Sequence, residues 1–279
     1  MDLGIDFDLE KLVELDGLSF FIQAGWASGD DLARKVGSIF SPAQAFNGRS
    51  VRLARMYLQQ DLLDEQLQLK IGRLATEDDF LSSPIYLEYV SGAINSVPAS
   101  IPESTPGFTT FPSVQWGAVA AGKPTQHLRL AAGVYASDQD VNKDKEHGVD
   151  FSLETDKGVM TIGEIGYSWG PDLSKSKKTE SKEMAELGLP GNVKLGGWYD
   201  TGPRTSLKDD TQSKGNNGGL YVGAQQMVYR EGGADSAEGL TPWVVLSYAP
   251  KQSINLVPVF VGAGVLYQAQ LQHRVFGTY

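Results

Sequence analysis

The sequence contains no cysteine among its 279 residues. The chain therefore forms no disulfide, has no thiolate nucleophile and offers no cysteine ligand to a metal. It also lacks any run of eighteen apolar residues, which excludes a transmembrane helix. A β-barrel strand needs an apolar residue only at every second position, so a hydrophobic content of 41% is compatible with a barrel that crosses a membrane.

The N-terminus, Met1–Asp6, has neither the basic region nor the apolar region of a secretory signal peptide. We therefore predict that the chain as given carries no signal peptide. The formal net charge of −10 argues against general binding of nucleic acid. The composition thus predicts no nucleic-acid partner.

Constellations of catalytic residues are scarce in this sequence. The adjacent carboxylates Asp78 and Asp79 would point to opposite faces of a strand, so they do not suit the two-carboxylate chemistry of a glycosidase. The three histidines show no metal-ligand spacing. The glycines of 262–264 lie in an alternating strand pattern and not before a helix, so they form no phosphate loop. We predict that the protein is not an enzyme and uses no cofactor and no metal.

The dominant period of the hydrophobic pattern is two residues, which predicts β-strands. One face of the segment 257–267 consists of Val257, Val259, Val261, Ala263, Val265 and Tyr267. A strand of this length spans a bilayer when it is tilted, and the tyrosine at its end is typical of a membrane-interface girdle. The segment 127–137 shows the same alternation, with small or aliphatic residues opposite a polar or bare face.

Many segments show this strand pattern. They are 2–9, 18–27, 50–61, 66–75, 114–121, 126–137, 148–155, 159–169, 192–201, 218–230, 240–249 and 256–270. Short turns at 61–65, 122–125 and 156–158 alternate with long links, as in bacterial barrels, although the link 202–217 is too long for the short side. The long links are 28–49, 77–113, 138–147 and 170–190. The pattern predicts an all-β fold built as an antiparallel transmembrane β-barrel.

Several motifs follow one another along the chain in a recognisable order. They are RSVRLARMYLQQ at 49–60 with LQLKIGRLA at 67–75, EDDF at 77–80, PGNVKLGGWYDTG at 190–202, QQMVYRE at 225–231 and YAP at 248–250. Together they resemble the carbohydrate-selective porins of the OprB family. The third motif is similar to the most recognisable strand of that family. The resemblance covers essentially the whole chain.

The resemblance implies a porin of the outer membrane of Gram-negative bacteria, through which mono- and oligosaccharides diffuse passively into the periplasm. It implies a sixteen-stranded barrel in outer-membrane lipid, an inward-folded loop that narrows the pore, and assembly as a homotrimer. Because only about twelve strands are found, we expect 1–279 to be a single but incomplete barrel domain. For an outer-membrane protein, we expect the missing parts to be the signal peptide, the first strand and several C-terminal strands.

The segment 77–113 is the predicted constriction loop. It is long, shows no strand pattern, and holds five of the thirteen prolines of the chain. A link of this length is usually functional or disordered, and its aromatic residues favour packing against the barrel interior. The alternative, a loop exposed at the cell surface, stays open at this point.

In a sugar pore, inward side chains hydrogen-bond to hydroxyl groups or stack on sugar rings. The faces opposite the apolar ones predict pore-lining and sugar-contacting residues at Arg55, Tyr57, Gln59, Lys70, Arg129, Tyr135, Glu164, Lys194, Trp198 and Asp200. Alternatively, the charges satisfy one another in a wall network. Trp198 faces lipid if the strand slips by one residue, because Gly196 and Gly197 leave its register open.

Two other functions are compatible with the same strand pattern. A general diffusion pore would have a similar barrel but would pass charged solutes freely. A soluble all-β carbohydrate-binding protein would need buried cores on the inner faces of two sheets, whereas the faces opposite the apolar ones here are mostly polar. We therefore predict a porin for the passive diffusion of small carbohydrates.

Overall fold

A computed structural model of the chain describes residues 2–43, 48–138, 140–171, 188–209, 212–213, 215–233 and 236–269. Over these residues the protein consists of β-strands and their connections. Two α-helices are single turns, Glu10–Val13 (α1) and Ala33–Val36 (α2). No helix within the ranges just given has the length and apolar content that crossing a bilayer requires.

The strands carry most of the structure. Their bounds are Asp2–Asp8 (β1), Leu18–Gly29 (β2), Gly48–Leu62 (β3), Leu67–Leu74 (β4), Gln115–Gly122 (β5), Leu128–Ala136 (β6), Val159–Trp169 (β7), Gly191–Asp200 (β8), Arg204–Thr205 (β9), Gln212–Ser213 (β10), Asn217–Gln226 (β11), Tyr229–Arg230 (β12), Gly239–Tyr248 (β13) and Val259–Gln268 (β14). Single 3-10 turns lie at Thr76–Asp78, Pro84–Glu88, Asp140–Asn142, Asp144–Glu146 and Thr155–Lys157.

Twelve of these strands form one antiparallel sheet, which confirms the predicted all-β fold and strand number. Strands β1 to β8 follow one another in the sheet and are succeeded by β11, β13 and β14, while the short β12 also pairs with β13. Among the described residues, strands β9 and β10 pair only with each other. Within the described ranges β1 and β14 do not pair with each other, so the sheet is open.

One face of the sheet carries an aliphatic band with tyrosines at both ends of the strands. On β14, Val259, Val261, Val265 and Tyr267 are each more than half exposed, as the alternation of that strand predicted. The band continues across the sheet through Leu130, Ile165, Leu195, Leu220 and Leu246, with Tyr167, Tyr199 and Tyr248 near its edges. Exposed aliphatic residues between aromatic girdles are typical of a surface in contact with lipid. We call this the outer face.

The connection between β4 and β5 packs against the opposite face of the sheet. We call residues 75–114 the inner segment and the face that it contacts the inner face. The main hydrophobic core lies between the two, where Phe80, Leu81 and Phe108 of the segment meet Met160 and Ile162 of β7. Burial of large apolar side chains contributes roughly 1.5–3 kcal/mol each, so this core holds the segment against the sheet.

The predicted strand 148–155 is wrong. Residues 150–154 form no strand, and Val149, Phe151 and Leu153 are about half exposed. They belong to the connection 137–158, which lies along β3, where the amide of Leu53 donates to the carbonyl of His147 at 2.9 Å. Three alternating apolar residues do not make a strand when no neighbouring strand offers them a ladder of hydrogen bonds.

Without this strand, every later connection lies at the opposite end of the sheet from the one predicted. The link 201–216 now falls with the long connections 30–47, 75–114 and 137–158, so it no longer departs from the barrel pattern. We call this the long-loop end and the opposite end the short-turn end. The exception becomes the link 170–190 at the short-turn end, most of which lies outside the described residues.

Candidate functional site

The inner segment is anionic throughout. It contains Glu77, Asp78, Asp79, Glu88 and Glu103 and no lysine, arginine or histidine. The sheet beneath it presents arginine and lysine side chains, so the two surfaces are complementary in charge. Such complementarity fixes the register of two packed surfaces even where each single pair contributes little free energy.

Glu77 holds the two ends of the inner segment together. Its carboxylate accepts hydrogen bonds from the hydroxyl of Ser96 at 2.6 Å and from the amide of Phe111 at 2.5 Å. Burial raises the pKa of Glu77 above its usual value, although these two hydrogen bonds oppose the shift. The carboxyl group therefore acts as an internal brace that favours the proton when the segment is docked.

Arg55 of β3 forms the first contact between the wall and the inner segment. Its guanidinium makes a bidentate ion pair with Asp78, with N–O distances of 2.6 and 2.5 Å. It also donates to Gln23 of β2 at 2.7 Å and stacks 4.7 Å from the ring centre of Phe111. Fork-like pairing of this kind fixes geometry as well as charge, so Arg55 positions the start of the segment.

Two cationic side chains of the inner face contact Asp79. The ammonium of Lys70 on β4 lies 2.8 Å from its carboxylate, and the guanidinium of Arg129 on β6 donates to its backbone carbonyl at 2.9 Å. Lys70 also lies 5.7 Å from the ring centre of Tyr57. Both wall residues thus have their charges compensated by neighbouring groups, as the wall-network alternative proposed.

Glu164 of β7 is the central acceptor beneath the inner segment. Its side chain is 1% exposed and accepts from the amide of Leu81 at 2.7 Å, from the hydroxyl of Tyr221 at 3.0 Å and from Arg129 at 3.1 Å. Lys194 of β8 donates to the carbonyl of Ser82 at 2.5 Å. A buried carboxylate requires such partners, because an uncompensated charge would cost several kcal/mol.

Asp200 fixes the far part of the inner segment at the end of β8. It is fully buried and accepts from the amide of Gly107 at 3.2 Å, from the hydroxyl of Ser137 at 2.8 Å and from Arg204 at 2.8 Å. Gly107 is required there, since a Cβ would collide with Met160. One carboxylate therefore joins the inner segment to two other connections of the long-loop end.

Aromatic rings fill the space between these polar contacts. Tyr135 of β6 meets Phe80 edge-on at 6.4 Å, and Trp198 of β8 stacks on Tyr221 of β11 at 6.4 Å. At the β13 side, Trp243 donates through its indole N–H to the hydroxyl of Tyr89 at 2.9 Å. The wall rings are 6% exposed or less, so they serve packing between the sheet and the inner segment.

All ten residues predicted from the alternation point to the inner face, and Trp198 does not face lipid. The inner face divides into two regions, to which residues beyond these ten also belong.

The covered wall consists of the polar and aromatic positions that the inner segment hides. They are Tyr135, Glu164, Lys194, Trp198, Asp200, Tyr221, Trp243 and Ser247. The open wall comprises the partly buried positions of β2–β4 that the inner segment does not hold, which are Phe21, Tyr57, Gln59, Asp61 and Gln68. Lys70, Arg55 and Arg129 lie between the two regions, with side chains 13%, 17% and 29% exposed.

Four inner-face aromatic residues escaped the sequence-based selection. They lie on strands without charged residues, so the search for charged inward positions passed over them: Phe21, Tyr221, Trp243 and Phe260. The alternation itself carried the signal, because Tyr221 shares parity with Gln225 and Asn217 on β11. An inner face should therefore be assigned from the whole strand before chemistry is used to choose residues on it.

Comparison with known proteins supplies independent information. A family model described as "Carbohydrate-selective porin, OprB family" matches residues 1–276. The chain is 24% identical to Porin B of Pseudomonas aeruginosa over 294 residues, covering 98% of this chain and 60% of that protein. The chain therefore spans about three fifths of the length of this curated relative.

Solved structures show the same fold. "High pH structure of Pseudomonas putida OprB" superimposes with a TM-score of 0.78 at 21% identity, over 98% of this chain and 64% of that one. "Low pH structure of Pseudomonas putida OprB" gives a TM-score of 0.53 at 19% identity, over 97% of this chain and 63% of the other. At these identities the likeness concerns the fold alone.

Proposed function

The chain belongs to the carbohydrate-selective porin, OprB family, and on that premise we propose that it builds the wall of an outer-membrane pore for the passive diffusion of small carbohydrates. The observation that carries the proposal is the family match over residues 1–276 together with a sheet that is aliphatic on one face and polar on the other. A porin is a channel and not an enzyme, so no chemical step is assigned to any residue.

Lipid is the proposed partner of the outer face. Its exposed aliphatic residues lie between tyrosines, as expected of a surface embedded in a bilayer. A trough of about 410 Å³ on this face is lined by Ala120, Leu130, Ala132, Gly163, Ile165 and Leu195, which gives an acyl chain room to pack. The proposal places the protein in the outer membrane.

The inner segment is the proposed constriction of the pore. The part predicted from the sequence, 77–113, contacts the inner face from Arg55 on β3 to Ser247 on β13. It therefore narrows the space in front of that face. A narrow polar passage favours uncharged, hydroxyl-rich solutes that exchange water for wall hydrogen bonds. This property distinguishes the proposed sugar pore from a general diffusion pore.

The family resemblance also leads us to propose a homotrimer. The proposal predicts that the detergent-solubilised protein has three times the mass of one chain, which multi-angle light scattering corrected for bound detergent measures. A monomeric mass that holds at all protein concentrations would contradict the trimer and would leave the pore hypothesis intact.

Planar-bilayer recording tests the proposed function. We expect stepwise openings whose current falls as glucose or maltose is added, because a sugar inside the constriction displaces conducting ions. Openings that neither sugar reduces would favour a general diffusion pore. A protein that stays in solution without detergent and produces no openings would contradict a membrane pore of either kind.

A further inference from the structure

Two aromatic side chains from neighbouring strands form a pair on the open wall. The rings of Phe21 on β2 and Tyr57 on β3 lie 5.2 Å apart between centres and are tilted by 35°. Glycines flank both rings: Phe21 lies over Gly4 of β1, and Gly72 of β4 stands opposite Tyr57. Because glycine has no side chain, Gly4 and Gly72 leave space beside the pair. Lys70 lies 5.7 Å from the ring centre of Tyr57, and Tyr57 also packs against the edge of the main core, but both rings stay partly exposed.

Planar polar groups lie next to this pair toward the short-turn end. Asp61 accepts the side-chain amide of Gln59 at 2.9 Å through one oxygen and that of Gln68 at 3.0 Å through the other. Each amide thus uses one N–H to fix its orientation. The carbonyl oxygens of both amides have no partner among the described residues, so they stay available as acceptors.

The aromatic rings of the covered wall are not accessible in the same way. Tyr135, Trp198, Tyr221 and Trp243 are between 1% and 6% exposed, because the inner segment lies on them. A solute that moves along the inner face cannot stack on these rings unless the segment leaves. The pair on β2 and β3 is open to such a solute.

From this arrangement we propose that the open wall carries a sugar-binding site, which we call the station. This proposal rests on the proposed function of the protein. A pyranose presents an apolar C–H face and a rim of hydroxyl groups. The C–H face stacks on Phe21 and Tyr57, and the hydroxyl groups bond to the amides of Gln59 and Gln68 and to the carboxylate of Asp61. The station lies beyond the constriction in the direction of the short-turn end.

Binding at this station should be weak, because a conducting pore requires that the solute leave as easily as it enters. The expected ligands are neutral hexoses and their short oligomers. Their C–H faces can stack on the aromatic rings, and their hydroxyl groups can bond to the neighbouring amides. Lys70, held by Asp79, leaves the station without an unpaired cation that would favour anions.

Sugar block of the reconstituted pore tests the station. Tyr57→Ala and Phe21→Ala should each raise the half-blocking concentration of glucose and maltose about tenfold, the effect of losing one stacking partner. Tyr57→Phe keeps the ring and should stay within about twofold of the parent. The matched control is Phe20→Ala, since Phe20 is adjacent in sequence but packs on Phe7 on the outer face.

Tyr57→Leu guards against loss of folding, because leucine keeps the position apolar but supplies no flat ring. It should raise the half-blocking concentration as alanine does, and stepwise openings in the absence of sugar would show that the variant still folds and inserts. Sugar block that is unchanged in all of the Phe21 and Tyr57 variants would overturn the station and leave the porin proposal standing. A parent protein whose openings no sugar reduces would overturn both.

Discussion

The inner face of the sheet divides into two regions with similar side chains but opposite accessibility. On the covered wall, Glu164 and Asp200 are 3% exposed or less and hold donors of the inner segment. On the open wall, Tyr57 and Gln59 stay partly exposed. Gln59 bonds to Asp61 of its own strand, and Tyr57 contacts Phe21 and only the edge of the main core. The direction of a side chain therefore does not decide its role, because the inner segment turns half of an apparent pore lining into a core.

The largest effect is expected for Asp200→Ala on the covered wall. The change removes the acceptor for Gly107, Ser137 and Arg204 and leaves the guanidinium of Arg204 buried without its partner. We expect the free energy of unfolding to fall by about 3–5 kcal/mol, measured by urea denaturation in detergent micelles. The matched change on the open wall, Asp61→Ala, should cost about 1 kcal/mol or less. Equal losses for the two carboxylates would remove the distinction between the walls.

A smaller effect is expected for Glu164→Gln. Glutamine keeps the size of the side chain but loses the charge that pairs with Arg129, so we expect a loss of about 2 kcal/mol in the same assay. The inner segment should also loosen, which predicts more current noise in single-channel records. Glu65→Gln, in the exposed turn between β3 and β4, is the control and should change neither quantity. A quiet channel of parental stability in the Glu164 variant would contradict the role of this residue as an anchor.

The pair Arg55–Asp78 lies at the border between the two walls and should contribute less. Both side chains are partly exposed, at 17% and 30%, so water screens their attraction. A double-mutant cycle with Arg55→Ala and Asp78→Ala should give a coupling free energy of about 1 kcal/mol that falls as salt is raised. A coupling above that of the Arg129–Glu164 pair, in which the carboxylate is 1% exposed, would reverse the predicted order.

A lower pH should slightly stabilise the docked form of the inner segment. Burial raises the pKa of Glu77 in the docked segment, so the docked form takes up a proton before the free form does. This contribution is fully present below the ordinary carboxyl pKa and is lost as the pH rises through the raised value. Hydrogen exchange of residues 77–83, corrected for the intrinsic rate, should therefore slow as the pH is lowered from neutrality toward the ordinary carboxyl pKa. Glu77→Gln should weaken the trend and leave only the part that belongs to Asp78, whose pKa burial also raises. A trend of parental size in that variant would contradict the assignment to Glu77.

Eleven of the twelve segments predicted from the sequence contain a strand of the sheet, and the alternation predicted their faces. Period-two alternation assigned the outer face of β14 and the inward direction of Arg129 and Tyr135, because each strand buries or exposes alternate residues whatever its neighbours are. It was misleading at Val149, Phe151 and Leu153, where alternation occurs without a pairing partner.

The covered wall could not be predicted from the sequence. Its contacts join residues far apart in the chain, such as Leu81 with Glu164 and Gly107 with Asp200. The acidity and aromatic content of the inner segment indicated that it packs on something, but not which of the inward residues it would hide. Charge complementarity between 77–79 and the wall cations was the one local signal for its register.

The most direct test of the two-wall account uses the absence of cysteine from the chain. Gln59→Cys places a single thiol on the open wall, and Ser247→Cys places one on the covered wall opposite Ser100. A charged methanethiosulfonate reagent added to open channels should modify the first about a hundredfold faster and reduce its current, since only an accessible thiolate reacts. Glucose should slow that modification. Equal rates at the two positions would contradict the account, because they would mean that the inner segment does not cover the wall.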